Sequence, residues 1–363
     1  MPFRLEARPR PSLAMRFASP VVAALATVLA GIVLFSLLGA PPLLALRAFF
    51  IVPLSSVYGL SELLLKASPL VIIAIGLAIG FRANVWNVGA EGQLALGAIG
   101  ATWVALALHG SDSLLVLPAM IVAGAIGGLA WAAIAAVLRT RFNANEILVS
   151  LMLTYLGLLL LTYLVNGPWR DPMGFNFPQS RLFSPSALFP ILMEGTRLNA
   201  SILITLAVVA AAWVFVSRSF IGFQMQVVGL SGPAAAYAGF GSGQAVWIGM
   251  LAGGAAAGLA GVGEVAGPLG QLMPSVSPGY GFTAIIVAFV GRLHPVGIVL
   301  AGLLLALLQL GGDAAQIELN LPAAVVGLFQ GLLLLFLLSA DVLINYRVRW
   351  SPSSRSTAEV AGS

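Results

Sequence analysis

The chain has 363 residues, 60% hydrophobic and 8% charged, with a net charge of +5 and no cysteine. A soluble domain carries about 25% charged residues, so a water-covered surface is excluded and the solvent is mostly lipid. Disulfides, thiolate nucleophiles and Cys-based metal sites are excluded as well.

In lipid the backbone must satisfy its own polar groups, and long apolar runs do so as helices. The composition therefore predicts an all-α polytopic membrane protein. Residues 1–17 form a basic, Pro-broken segment carrying Arg4, Arg8, Arg10 and Arg16. The apolar run that follows lacks a small-residue cleavage site before Pro41-Pro42 and reads as an uncleaved first span. A bilayer core takes about 20 apolar residues per helix. Segments at 18–39, 62–81, 87–108, 114–138, 146–165, 199–217, 244–266, 281–292, 294–312 and 322–344 meet or approach that length. They predict about ten transmembrane helices within a membrane domain over 18–344. The eighth is short and leans on the irregular stretch GPLGQLMPSVSPGY (267–280), so some helices are predicted to be broken.

Arginine placement orients the spans. The N-terminal segment, the 139–145 turn (RTRFNAN) and a 345–363 tail with Arg347, Arg349 and Arg355 are predicted to be cytoplasmic. The short segment HGSDS (109–113) and an acidic turn, GDAAQIELN (312–320), are predicted to be external. Ten spans with both termini in the cytoplasm satisfy all of these together. Basic and aromatic residues do not interleave as base-stacking surfaces require, so no nucleic-acid partner is expected.

One stretch breaks the apolar monotony. FRANVWNVGAEGQLALGAIGA (81–101) places Arg82, Asn84, Asn87, Glu91 and Gln93 between the second and third spans. Two readings stay open on the residues alone. Arg82 and Asn84 could lie at the interface, with Asn87 capping the next helix and Glu91 meeting its dipole. Alternatively the helix starts inside the membrane and lines a cavity, where polar groups mark a pathway.

Further along, residues 166–198 form a long Pro-rich loop predicted to be external. Residues 218–243 form the longest internal loop, and loops of this length are usually functional. Gly249, Gly253, Gly254, Gly258, Gly261, Gly263 and Gly267 crowd one span, at spacings that let helix backbones approach closely. Glu264, within GVGEVAG, is a candidate pathway or interhelical hydrogen-bonding residue. Glu146 reads as a helix-start carboxylate and Arg292 as a positive-inside anchor. No role is argued for Lys66, the one lysine.

FRANVWNVGAEGQLALGA resembles the signature of membrane subunits in the ABC-importer group that includes ribose, branched-chain amino acid and nucleoside permeases. NANEILVSLMLTYLG (143–157), VVGLSGPAAAYAGF (227–240) and GYGFTAIIVAFVGRLHPVG (279–297) resemble further family segments in the same order. The long external loop and the NVGAEGQ wording are most similar to nucleoside-type permeases. The second of these segments resembles the family's cytoplasmic coupling segment. There Gln226, Val227 and Ser231 stand where an arginine, an alanine and an asparagine are common.

The resemblance implies a non-catalytic permease subunit of an ATP-driven importer in the bacterial cytoplasmic membrane. It implies ATPase subunits, an external substrate-binding protein and a second, homologous permease as partners. A small polar solute, nucleosides first and simple sugars such as ribose next, would cross. Asn84, Asn87, Glu91, Gln93 and Glu264 become pathway candidates. Gln226, Gly229, Ser231, Ala235 and Gly239 become candidates for contact with the ATPase.

No phosphate loop is present, so ATP hydrolysis belongs to another chain. No cofactor is expected, and no His/Asp/Glu group has metal-ligand spacing. Two other classes compete. An ion-coupled secondary transporter would show inverted repeats, and no clear duplicate of 81–101 appears in the second half. GLSG (229–232) and HPVG (294–297) echo the Ser and His motifs of rhomboid-like intramembrane proteases. However, Ser231 precedes a Gly-Pro step rather than standing at a buried helix start.

Overall fold

The structure is a computed structural model and describes residues 3–7 and 13–350. Arg8, Arg10 and Arg355, and with them most of the 345–363 tail, lie outside the described residues. The chain is mostly helical and divides into two units, residues 1–52 with 311–363 and residues 53–310.

The first unit opens with strand β1 (Phe3–Ala7), followed by α1 (Leu13–Leu37) and α2 (Pro42–Phe50). The α2 helix lies between the first two predicted spans and was not among them. Pro42 occupies a first-turn position, where its missing N–H costs nothing.

The second unit carries α3 (Val57–Phe81), α4 (Ala90–Ala107), α5 (Val116–Phe142) and α6 (Glu146–Asn166). After the long loop come α7 (Ser201–Arg218), α8 (Phe220–Leu230), α9 (Gly232–Tyr237) and α10 (Ser242–Glu264). A π-helical turn over Val265–Leu269 ends α10, and α11 (Tyr280–Val290) follows. The next helix, α12 (Pro295–Leu319), crosses the division at 310/311. In the first unit, α13 (Ala323–Asn345) then leads to β2 (Tyr346–Trp350). The two strands pair antiparallel, Phe3 opposite Trp350 and Ala7 opposite Tyr346. This ribbon is the departure from an all-helical reading.

Among the described residues, six helices are long and apolar enough to cross a membrane: α3, α5, α6, α7, α10 with its π turn, and α12. Their burial sorts them. The most apolar window of α3 is 83% buried and that of α10 is 61%, against 28% for α5, 22% for α6 and 17% for α7. Apolar yet uncovered, the last three suit lipid contact, while α3 and α10 form the core.

The approach of helices in that core is set by glycine. A Cβ added to Gly97 of α4 would lie 2.3 Å from the Gly258 Cα of α10, and one added to Gly128 of α5 would lie 2.2 Å from the Gly254 oxygen. In lipid, where no hydrophobic drive separates protein from solvent, such close packing supplies much of the association energy. In the first unit the buried rings of Phe35, Phe49 and Phe329 cluster instead, with Phe49 and Phe329 centroids 4.7 Å apart.

Three turns differ from expectation. The 312–320 segment, predicted as an external turn, continues α12 to Leu319. Ala314, Ala315, Gln316 and Glu318 favour helix, and the chain breaks only at Asn320, with φ of 50°, ahead of Pro322. RTRFNAN narrows to Asn143–Asn145, because α5 runs to Phe142 and Asn143 closes it with φ of 52°. Asn145 then caps α6 by accepting from the Ile147 and Leu148 amides. The 218–243 loop is largely the two short helices α8 and α9.

Candidate translocation and coupling sites

The polar residues between α3 and α4 are mostly satisfied by the protein itself. Asn87 and Gln93, both buried, exchange amide hydrogen bonds. Asn87 Nδ2 donates to Gln93 Oε1 at 2.9 Å and Gln93 Nε2 donates to Asn87 Oδ1 at 3.0 Å. Gly89 occupies the N-cap position of α4 in place of Asn87, whose Oδ1 accepts the Gly89 N–H at 3.0 Å. The absent side chain of Gly253 makes room for the Asn87 amide, since a Cβ there would lie 2.7 Å from Nδ2.

Glu91 stands in the first turn of α4, as its position in the sequence suggested. Its carboxylate turns outward from its own helix and accepts the Gly281 N–H of α11 at 2.6 Å. Here too glycine is required, because a Cβ on Gly281 would fall 2.2 Å from the Glu91 nitrogen.

Arg82 and Asn84 reach two other elements. The Arg82 guanidinium donates twice to the Leu293 carbonyl, at 3.1 and 2.7 Å. That carbonyl belongs to the α11–α12 turn, where Arg292 and Leu293 adopt φ of 55° and 54°. Such a conformation is unfavourable for L-residues, and a charged donor compensates for it. Arg82 is therefore a structural clamp, a role that its reading as an interface residue did not contain.

Asn84, itself at φ of 57°, donates through Nδ2 to the Gly229 carbonyl of α8 at 2.8 Å. Phe289 stacks on both Phe81 and Trp86, with centroids 5.1 and 5.6 Å away, and those two rings are tilted to each other.

Gly229 thus touches the 82–93 segment directly, and a Cβ on it would lie 1.9 Å from the Arg82 carbonyl oxygen. Met225, buried among Ala83, Val85, Ala245 and Met250, pins α8 to the same place. Of the remaining coupling candidates, Gln226, Ser231 and Gly239 face outward and Ala235 does not. Gln226 is exposed, and Ser231 is exposed and caps α9 by accepting the Ala234 N–H at 3.4 Å. Ala235 is buried, and Gly239 ends α9 with φ of 80°. Ser231 is thus a helix cap and not a nucleophile in a buried site. Among the described residues no group of His, Asp and Glu could hold a metal ion.

Glu264 lies apart from these residues. It is buried at the end of α10 and lines a cavity of about 10 Å³ with Ser68, Pro69, Ser201 and Gly263, roughly the space of one water. Ser68 and Thr205 share a hydrogen bond between α3 and α7. One turn before Lys66 on α3, Glu62 is buried and bound by both arms of Arg197, with Nε to Oε1 at 2.9 Å. The sequence reading passed over this pair. Its signals were an acid inside an apolar run and an arginine on the side predicted to hold few.

Residues 59–338 match the family described as "Branched-chain amino acid transport system / permease component". The chain belongs to this family. It is similar to the glucose ABC transporter permease protein TsgB13 of Haloferax volcanii, with 37% identity over 92% of this chain and 90% of that one. It is also similar to the guanosine ABC transporter permease protein NupP of Bacillus subtilis, with 31% identity over 78% and 82%. The nucleoside ABC transporter permease protein NupB of Lactococcus lactis is 26% identical over 88% and 89%. This permease is a multi-pass membrane subunit of an ABC importer for small solutes and is itself non-catalytic. Its family works with ATPase and binding-protein partners. The permease reading absorbs the 81–101 signature, and it leaves no role for a protease.

Proposed function

We propose that this permease carries nucleosides across a bacterial cytoplasmic membrane. In this reading ten spans place both termini in the cytoplasm, and a second, homologous permease completes the pore. ATPase subunits dock on the cytoplasmic side and an external binding protein delivers the solute. Residues 18–344 form the permeation domain, with the external loop at 166–198 and the coupling segment at 218–243.

The observation that carries the mechanism is the hydrogen bond from Asn84 to Gly229. It joins the coupling helix to the segment holding Asn87, Glu91 and Gln93. ATP-driven closure of the ATPases pushes α8 and α9. The push reaches α11 through Glu91–Gly281 and the α11–α12 turn through Arg82–Leu293. Around Glu264 the π turn supplies a break at which the far end of α10 can shift independently. Polar groups on the path bind solute weakly, which favours release, and the binding protein sets selectivity.

The nucleoside assignment is supported by the guanosine and nucleoside permeases among the relatives. A sugar is the second reading, favoured by the 37% identity to a glucose permease. Uptake of labelled guanosine and labelled glucose by cells expressing the whole assembly, with and without ATP depletion, separates them. Guanosine uptake that stops without ATP is expected. Glucose uptake alone moves the solute, and ATP-independent uptake of either overturns the importer mechanism.

A further inference from the structure

Above the ends of α4 and α6 the structure has an open cleft of about 390 Å³, which none of the residues assigned so far lines. Its walls include Trp103 and His109 from α4 and its C-terminal turn, and Trp169, Arg170 and Arg181 from the loop after α6. We infer that this cleft is a vestibule in which the planar heteroaromatic part of the solute stacks before it crosses. The inference rests on the nucleoside reading above.

The size suits the task, since small-molecule sites run to about 300–1,000 Å³. The chemistry narrows the ligand. Two indoles offer flat faces on which a base can stack. The residues with polar side chains that line the cleft are Arg170, Arg181, His109 and the two tryptophans, and no aspartate or glutamate is among them. Guanidinium and indole N–H groups donate and do not accept. A purine nucleoside presents ring nitrogens, a carbonyl and ribose oxygens as acceptors and matches such a site. A hexose shares the hydroxyls but has no planar heteroaromatic ring, so it offers the two indoles no π-face and the donors no ring nitrogen.

The loop wall is built and held. The Trp169 backbone N–H donates to the Leu164 carbonyl at 2.9 Å, continuing the end of α6. An antiparallel bridge joins Arg170 to Ser180, and Arg170 Nη2 donates to the Asn176 carbonyl at 2.8 Å. Ser180 in turn accepts from and donates to the backbone of Leu272. The cleft wall is thereby tied to the segment just after the π turn of α10. A shift of that segment would reshape the cleft, which gives a bound solute a route for release.

The test is binding of labelled guanosine to the purified assembly of permeases and ATPases in nanodiscs, without the binding protein. Trp169→Ala and Trp103→Ala are each expected to raise the half-saturating concentration about tenfold, in line with the loss of one stacked base. Trp169→Phe keeps an aromatic face and is expected to stay within about twofold. Arg181→Gln, at an exposed position, is expected to weaken guanosine binding as well, because it removes a charged donor from the cleft.

Wild-type affinity in both alanine variants, with the assembly intact by size-exclusion chromatography, would overturn the inference. So would wild-type protein that imports guanosine in cells but binds none in nanodiscs, and that result would leave the nucleoside reading standing. Loss of uptake in the alanine variants that extra binding protein restores would reassign the cleft to protein docking and overturn it as well. A wild-type assembly that imports only glucose removes the reading and the vestibule together.

Discussion

Arg197 holds Glu62 through two hydrogen bonds, one from Nε and one from Nη2, and so fastens the end of the 166–198 loop to α3. The carboxylate is almost wholly buried while the guanidinium is 55% exposed. The hydrogen bond that Arg197 donates to the Glu62 carboxylate drives the Arg197 pKa above its usual value, against the opposing effect of burial. Asn199, two residues on, starts α7 by accepting the Ser201 N–H at 3.0 Å. The latch therefore sits where the loop becomes helix.

Removing the arginine strands a buried charge. Arg197→Met is expected to lower stability by about 1–2 kcal/mol, less than the 3–5 kcal/mol of a fully buried pair because solvent reaches the guanidinium. Adding Glu62→Gln is expected to recover part of that loss, because the uncompensated charge is then gone. Thermal unfolding of both variants in detergent checks this, and strictly additive effects would mean the pair is not coupled.

Glycine contacts in the core predict a sharp contrast. Gly97→Ala must push α4 off α10, since its Cβ would lie 2.3 Å from the Gly258 Cα. A loss of about 1–3 kcal/mol is expected, the cost of overpacking. Gly243→Ala meets nothing closer than 3.9 Å and is expected to be neutral or slightly stabilising. Comparing the two melting temperatures decides the matter.

The coupling geometry predicts uncoupling without unfolding. Asn84→Ala removes the bond to the Gly229 carbonyl and is expected to reduce uptake several-fold while ATP hydrolysis persists. Gly239→Glu places a bulky charge at a residue with φ of 80° at the end of α9 and is expected to give the same pattern. Normal transport per ATP in both variants would remove 218–243 from the coupling role.

Ser231→Ala deletes a cap and nothing more. Loss of an N-cap costs about 1 kcal/mol, at the surface of a short helix. Uptake in this variant is expected to remain close to wild type, and abolished activity would revive a nucleophilic role for the hydroxyl.

Much of the fold was legible because lipid leaves the chain little choice. The 60% apolar composition requires helices, and each of the ten apolar segments carries one in the structure. The glycine run in α10 announced close packing, and Glu91 announced a helix start. The failures were local and have local causes. Segment 312–320 looked like a turn for its acids, yet it lacks an internal breaker. The short helix α2 was passed over because nine residues are too few for a span.

What the sequence could not supply was partnership. Asn87 and Gln93 are near neighbours and could have been paired by inspection. Glu91 instead meets Gly281, Arg82 meets Leu293, and Glu62 meets Arg197, each across more than a hundred residues. Trp103 and Trp169 likewise share a cleft only because α4 and α6 end side by side. The sequence by itself determined the solvent, the helices and the residues too polar for lipid. The tertiary structure decided which groups satisfy one another, because helical periodicity fixes a side chain's face but not the neighbour that packs against it.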